Sequence, residues 1–329
     1  MSIKPNIAFV TGGYSGEAEI SYKSAVNIEK NLDPTRYNVY KIDITPNGWY
    51  YINETTKQPV DRSNFTIQQN GQTIIFDAVF IGIHGTPGED GKLQGYFDMV
   101  GLPYTSCDAA TSALTMNKRY TVAVAAFGGI NVAKSLHLFK HSPVEATTIL
   151  QQLTLPLFVK PNNGGSSIGM SKVNTAAELP AALEKAFKED EQVLVEEFIS
   201  GREFTVGVFK SKGGIQVLPI TEIITHKEFF DYEAKYLGKS EEVTPAAIDA
   251  RMKEKIESAA KKVYEVFNCR GVVRIDFIFN QARQEPYMLE INTVPGQTDA
   301  SVIPQQVRAL GWALKDFYSA LLEEALQRK

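Results

Sequence analysis

The chain has 329 residues, 43% of them hydrophobic, and 34 Lys and Arg against 38 Asp and Glu leave a formal charge of −4. That is ordinary globular composition with room for two or three domains. The charges are mixed along the chain, with no polybasic arm for nucleic acid or lipid head groups, so a small-molecule partner is expected, with no nucleic acid and no membrane.

The opening stretch, MSIKPNIAFVTGG, holds too few apolar residues for a signal-peptide core, and the run Val122–Phe127 is too short to span a bilayer, so a cytoplasmic location is expected. NIAFVTGG reads as a buried strand ending in a turn. EAEISYKSAVNIEKNL follows with helical apolar spacing at Ile20, Ala25 and Ile28. VYKIDI and FDAVFIGIHG are two further strands. Their alternation with helix argues for a parallel sheet with helices on its faces, an α/β domain over residues 1–108. In TGGYSG the Rossmann frame would set Thr11, Gly13 and Gly16 at its three glycine positions, so the first glycine is missing and Asp43 is a distant candidate acid. A tight strand-to-helix turn explains the segment equally well.

Residues Ala109 to Gly129 are helical in composition, and the β-rich runs PLFVKP and QVLVEEFI then bracket a glycine loop, KPNNGGSSIGM. A central subdomain over 109–200 is expected. Lys160 stands at the end of its strand, the glycines free backbone N–H groups to face an anion, and Ser166 and Ser167 add hydroxyl donors. The order differs from a P-loop, whose lysine follows the glycines. Gly165 to Gly169 also satisfies G-x-S-x-G, but that nucleophile elbow needs a later acid and histidine, and only His226 lies downstream. The remaining histidines, His84, His137 and His141, include the pair HLFKH, which lacks a metalloprotease glutamate. Cys107 and Cys269 show no CxxC pairing and read as buried or semi-buried thiols.

GREFTVGVF is a strand opening a C-terminal domain over 201–329. The polar, aromatic, poorly periodic THKEFFDYEAKYLGKSEEVTP suits a lid over about 226–243. Thr244 and Pro245 read as N-cap and first-turn proline of a helix with apolar positions at Met252, Ile256, Ala259, Val263 and Val266. GVVRIDFIFNQARQEPYMLEINTVPG reads as a hairpin. Period two puts Arg274, Asp276 and Ile278 on one face of its first strand, and Met288, Glu290 and Asn292 on one face of its second. With the turn near Arg283, Asp276 faces Glu290 and Arg274 faces Asn292. Opposed carboxylates repel unless a cation lies between them. A Mg²⁺ site of two carboxylates and a carboxamide, a hydrated sheet edge, and Arg274 as the acids' structural partner are all compatible with that pattern.

Taken together, GGYSGEAEIS, IGIHGTPGEDGKLQG, LPYTS, MNK, VKPNNGGSSIGMSKV, VLVEEFISGREFTVG, YEAKY, GVVRIDF and LEINTVPGQTDASVIP resemble, in order and spacing, the ATP-grasp superfamily, and closely its D-alanine–D-alanine ligases. The resemblance covers essentially the whole chain. Departures are slight: Asn117 replaces an acid common before Lys118, and Asn162 and Asn163 vary a tolerant stretch. It implies a three-domain ATP-grasp fold, α/β in the N-terminal domain and α+β in the ATP-clasping part. The implied activity joins two D-alanines through an acyl phosphate for bacterial peptidoglycan synthesis, with ATP as co-substrate and two Mg²⁺, or Mn²⁺, as cofactor. A homodimer is the family's habit. A same-fold ligase using D-lactate or D-serine is the nearest alternative, and a nucleotide-binding regulatory module the alternative of another class.

By the same resemblance, Lys118 and Lys160 contact the phosphates, the Ser166–Gly169 loop with Ser167 folds over them, and Lys235 joins when the lid closes. Glu196, Glu197, Phe198, Ile199 and Glu203 hold adenine and ribose, with Ile278, Leu289 and Glu290 completing the nucleotide's surroundings. Asp276, Glu290 and Asn292 bind the metal. Glu17 binds the first D-alanine's ammonium, His84 lies near its carboxylate, and Ser301 holds the carboxylate of the second. Arg274 and the Gly296 N–H face the oxyanion, and the Tyr236 hydroxyl, linked to Glu17 and Ser166, accompanies dipeptide formation.

Overall fold

A computed structural model describes residues 4–164, 168–225 and 240–328. The first strand, β1 (Asn6–Gly12), has Ile7, Ala8, Phe9 and Val10 all fully buried, as befits a strand covered on both faces. It pairs in parallel with β2 (Asn38–Thr45) and β7 (Ala78–Ile81), while β3 (Gly48–Ile52) and β4 (Lys57–Pro59) extend the sheet antiparallel in the order β4-β3-β2-β1-β7. The short hairpin β5 (Ile67–Gln69) and β6 (Gln72–Ile74) stands beside it. One face buries Ala8, Val10, Val79 and Ile81 with Leu93 and Phe97 of α2 (Lys92–Val100). The other packs Ile7, Phe9 and Phe80 on Ala25 and Ile28 of α1 (Ala18–Asn31). It also meets Phe317, Tyr318 and Leu321 of the last helix, which returns from the far end of the chain.

Where one helical region is expected, Asn117 divides two, α3 (Ala109–Met116) and α4 (Lys118–Phe127). It closes the first and caps the second, its side chain accepting from the Tyr120 N–H. The second sheet runs β10-β9-β11-β8, from β8 (Ser135–Phe139), β9 (Leu157–Pro161), β10 (Ser171–Val173) and β11 (Gln192–Glu197). Leu157, Val159, Val193 and Val195 bury against Ile149 of α5 (Ala146–Gln152) and Leu179, Ala182 and Ala186 of α6 (Leu179–Glu189).

The third sheet is built on β12 (Arg202–Ser211), paired with β13 (Gly214–Val217), β14 (Thr221–Thr225) and, at its centre, β16 (Val272–Asn280), which pairs β17 (Glu285–Asn292). Residues 226–239, most of the expected lid, lie outside the described residues, and the rest of it, β15 (Ser240–Val243), is an edge strand on β14. Helix α7 (Ala250–Val266) starts later than expected. Its N-cap is Asp249, which accepts from the Met252 N–H, whereas Thr244 meets Thr221 through their hydroxyls. A carboxylate cap at the actual first turn displaces the Thr-Pro pair. Its buried stripe is Met252, Ile256, Ala260 and Val263, with Ala259 and Val266 flanking, packed on Phe204, Val206, Ile275 and Phe277. Helices α8 (Val302–Ala309) and α9 (Leu314–Leu326) end the chain.

The hairpin pairs Arg274 with Asn292 and Asp276 with Glu290, as period two predicts. A bulge then follows Asp276, so Phe277 pairs Met288 and Leu289 is the extra residue. That flips the expected face of Met288. It is buried in the core with Phe277 and Ile291, and Leu289 turns with Glu290 towards the open face.

Candidate functional site

Two cavities meet at the third sheet. One, of about 360 Å³, is bounded by Lys160, Glu196 and Glu197 on the second sheet, Phe198 and Ile199 just beyond it, Lys118 of α4, and Glu203, Asp276, Ile278, Leu289 and Glu290 on the third. The other, of about 390 Å³, is lined by Glu17, His84, Glu89, Arg274, Asn292, Gly296 and Ser301. Glu203, Ile223 and Asp276 line both, so the wall between the cavities is the third sheet itself, with one residue each from β12, β14 and β16. Every expected site residue that is described lies on one cavity or the other. Ser166, Ser167, Lys235 and Tyr236 lie outside the described residues.

In the first cavity Lys160 forms an ion pair with Glu196, both side chains largely shielded from solvent. Glu197 turns instead to the Thr154 N–H, accepting at 2.8 Å. Lys118 begins α4, whose positive dipole end favours an anion, and its ammonium donates to the Gly164 carbonyl at 2.7 Å. Asn162 fixes that helix to the glycine loop. Its carbonyl accepts from the Lys118 N–H at 3.1 Å and its Oδ1 from the Arg119 N–H at 2.8 Å. It is fully buried, so at this position the stretch is not tolerant as expected. Gly169 has φ +73°, and a Cβ there would stand 2.7 Å from Glu189 Cγ and 2.8 Å from Pro161 Cγ. Only glycine allows the loop to turn back so closely. Arg202, which sequence reasoning passed over, adds a wall by gripping Glu222 with Nε and Nη2, each at 2.7 Å.

At the shared wall, Arg274 donates through Nε and Nη2 to the two oxygens of Asp276 at 2.9 and 2.7 Å, and Nη2 stands 3.8 Å from Glu290. Thr205 also donates to Asp276, at 2.5 Å. Burial opposes the Arg274 charge, but the carboxylates of Asp276, Glu290 and Glu89 outweigh it and raise the guanidinium's pKa above its ordinary value. An arginine therefore lies beside the opposed acids, one of the arrangements open from sequence. The donors also fit a hard cation. Two carboxylates and the Asn292 carboxamide come together on the paired strands of one hairpin, Asp276 on β16 opposite Glu290 of β17 and Asn292 two residues on. Among the described residues no group of three His, Cys, Asp or Glu is placed to hold a metal. An ion here would complete its shell with water or phosphate oxygens, the habit of Mg²⁺.

In the second cavity, Glu17 sits at the N-cap of α1 against Gly85, where a Cβ would come 2.4 Å from Glu17 Oε2. Gly85 has φ +66°, so glycine is required twice over. Ser301 is the N-cap residue of α8, and its Oγ accepts from the Thr298 N–H at 3.0 Å. A Cβ on Gly296 would lie 3.0 Å from that Oγ. The His84 ring is buried and holds its Nδ1 2.7 Å from the Val294 carbonyl and its Nε2 2.9 Å from Ser24 Oγ. A carbonyl only accepts, so Nδ1 carries the proton and Ser24 donates to Nε2. Burial lowers the His84 pKa to about 4, which keeps the ring neutral. Both nitrogens are thus engaged within the protein. Glu89 is the acid that sequence reasoning missed. Burial and then the Glu17 charge push its pKa up to about 8.

Comparison with known proteins places the whole chain in a family. Family models described as D-ala D-ala ligase N-terminus and C-terminus match residues 6–107 and 123–323. The D-alanine–D-alanine ligase of Flavobacterium johnsoniae is 48% identical, over 98% of this chain and 99% of its own. Among solved structures, the VanG D-Ala:D-Ser ligase of Enterococcus faecalis superposes with a TM-score of 0.89 at 33% identity, covering 98% of this chain and 100% of its own. The D-alanine–D-alanine ligase of Bacillus anthracis complexed with ATP gives a TM-score of 0.79 at 27% identity, with 98% of each chain covered. No helix among the described residues is long and apolar enough to cross a membrane.

Proposed function

This chain belongs to the D-alanine–D-alanine ligase family, and on that premise we propose how its own residues carry the ATP-dependent joining of two D-alanines. The observation that supports the reading best is the shared wall: the cavity with two lysines and the cavity with Glu17 and Ser301 both border Asp276. A phosphoryl group can pass from one to the other there without crossing solvent.

A carboxylate is a poor electrophile, so the first D-alanine is activated by transfer of the γ-phosphoryl of ATP to its carboxylate. The free amine of the second D-alanine bonds to the acyl carbon of this acyl phosphate. Phosphate leaves with the electrons of the broken C–O bond, and the amine gives up its proton. Lys118 and Lys160 offset charge on the transferring group, Lys160 exchanging Glu196 for phosphate. Asp276, Glu290 and Asn292 would hold Mg²⁺ (two ions, with Mn²⁺ a substitute), which supplies positive charge to the phosphates. Adenine and ribose lie between Glu196–Ile199, Glu203, Ile278 and Leu289. Glu17 receives the first ammonium and Ser301 the second substrate's carboxylate. Arg274 and the Gly296 N–H stabilise the oxyanion of the tetrahedral intermediate. His84 orders the carboxylate end of the first substrate through its neighbours, since its ring nitrogens are already bonded. Ser166, Ser167, Lys235 and Tyr236 keep the phosphate, lid and amine-side parts that the resemblance gives them.

We read residues 1–108, 109–200 and 201–329 as the three domains, and the protein as cytoplasmic and homodimeric, which sedimentation at two concentrations checks. The function itself is tested by phosphate release from ATP with Mg²⁺ and single amino acids. Release should require D-alanine. Equal release with L-alanine, or with no amino acid, sinks the reading.

A further inference from the structure

The stretch Val294-Pro295-Gly296-Gln297 carries the expected oxyanion donor and leads to Ser301, yet side chains from the first 108 residues take its backbone polar groups. The Val294 N–H donates to Glu89 Oε1 at 3.1 Å, and its carbonyl accepts from His84 Nδ1 at 2.7 Å. The Gln297 N–H donates to Ser24 Oγ at 3.1 Å, and its carbonyl accepts from Asn27 Nδ2 at 2.8 Å. The Ser24 hydroxyl itself donates to His84 Nε2, so these bonds form one chain with a fixed donor order. Glu89 takes a backbone N–H from each side: its Oε2 accepts from the Gly85 N–H at 2.7 Å, and Gly85 is the residue against which Glu17 rests. The two oxygens thus join backbone groups more than two hundred positions apart, 205 residues separating Glu89 from Val294.

We propose that Glu89 is a positioning residue for peptide-bond formation: its carboxyl group, spanning the Gly85 and Val294 N–H groups, sets the distance between the wall that carries Glu17 and the loop that carries Gly296 and Ser301. The first substrate's ammonium is held at one end of that span and the oxyanion donor and second substrate at the other. The proposal rests on the functional reading above. If the span loosens, the acyl phosphate still forms, but the second amine meets it out of line. Water then bonds to the acyl carbon in its place, phosphate departs with the C–O electrons, and a proton goes to solvent, so ATP is consumed and D-alanine returned without a peptide bond.

Replacing one acceptor by an NH₂ group sets donor against donor at Gly85 or Val294, so Glu89→Gln breaks the span while keeping the side chain's volume. The experiment measures dipeptide formed per phosphate released, with kcat and the KM for ATP, in wild type, Glu89→Gln and Asn27→Ala. Asn27 holds the same loop through Gln297 and does not line the cavity. In folded Glu89→Gln the ratio should fall at least about fivefold with the KM for ATP changed less than about twofold, and Asn27→Ala should lower it less. A folded Glu89→Gln with wild-type ratio and kcat overturns the proposal, as does a loss confined to the KM for ATP. Should Glu89→Gln fail to fold, Asn27→Ala decides alone: a lowered ratio supports the span, an unchanged one refutes it. A wild type that releases no phosphate in response to D-alanine refutes the functional reading instead.

Discussion

The two cavities are assembled differently. The one bounded by the second and third sheets takes its polar groups from strands and from one helix start: Lys160 on β9, Glu196 on β11, Glu203 on β12, Asp276 and Glu290 on a single hairpin. The other has its floor on β16 and β17, but its walls are loops tied together by side chains such as Glu89, His84, Ser24 and Asn27 reaching across the chain. Strand-borne sites inherit their geometry from the backbone ladder. Loop-borne ones depend on every tie, which makes the second cavity the more sensitive to single polar substitutions.

The sharpest test of that contrast removes the acids at the shared wall. Asp276→Asn and Glu290→Gln should each lower Mg²⁺-dependent turnover at least about a hundredfold. Glu290→Gln should leave the unfolding midpoint near wild type, whereas Asp276→Asn should also lower it, because the buried Arg274 loses its two-bond carboxylate partner. Turnover measured against Mg²⁺ concentration checks this, and wild-type activity in both variants would falsify the metal assignment. Next in size, His84 is neutral and buried with its pKa lowered to about 4. The unfolded chain binds more protons between that value and the ordinary 6.5, so the stability contributed by the neutral ring is present above pH 6.5 and is lost as pH falls towards 4, by about 3 kcal/mol at most. Glu89 titrates in the opposite sense, its raised pKa making the fold less stable as pH rises from 4.5 towards 8. The measurement is therefore a difference: urea unfolding of wild type minus His84→Asn across pH 4 to 7, with the wild-type advantage shrinking towards acid. A constant difference would contradict the buried neutral ring.

Smaller effects separate the two cavities again. Glu17→Gln should raise the KM for D-alanine roughly tenfold with little change in that for ATP, and a reversed pattern would place Glu17 on the wrong cavity. Asn162→Ala leaves the Arg119 N–H unpaired at a partly buried helix start and should cost about 1 kcal/mol in denaturant unfolding. No loss there would mean that α4 is held by its other contacts.

What was legible in the sequence follows the same division. Period two alone opposed Asp276 to Glu290, since hairpin pairing is local, but it misplaced Met288 because nothing in PYMLEIN announces a bulge. The apolar stripe of α7 was readable, while its start was not: both Thr244-Pro245 and Asp249 are acceptable caps, and tertiary packing chose the second. Glu89, Ser24, Asn27 and Gln297 gave no local signal. Each is an unexceptional polar residue until the fold joins the first three to the loop of Gln297, some two hundred or more positions away. The return of Phe317 and Tyr318 to the first sheet was hidden for the same reason, an apolar helix face carrying no record of which sheet it will cover.

The central claim, that this geometry joins two D-alanines, is tested most directly by identifying the product when D-alanine, D-lactate and D-serine are offered together with ATP and Mg²⁺ across pH. D-alanyl-D-alanine should be the main product, formed in step with phosphate. A main product ending in D-lactate or D-serine, or phosphate released with no D-alanine incorporated, would contradict it.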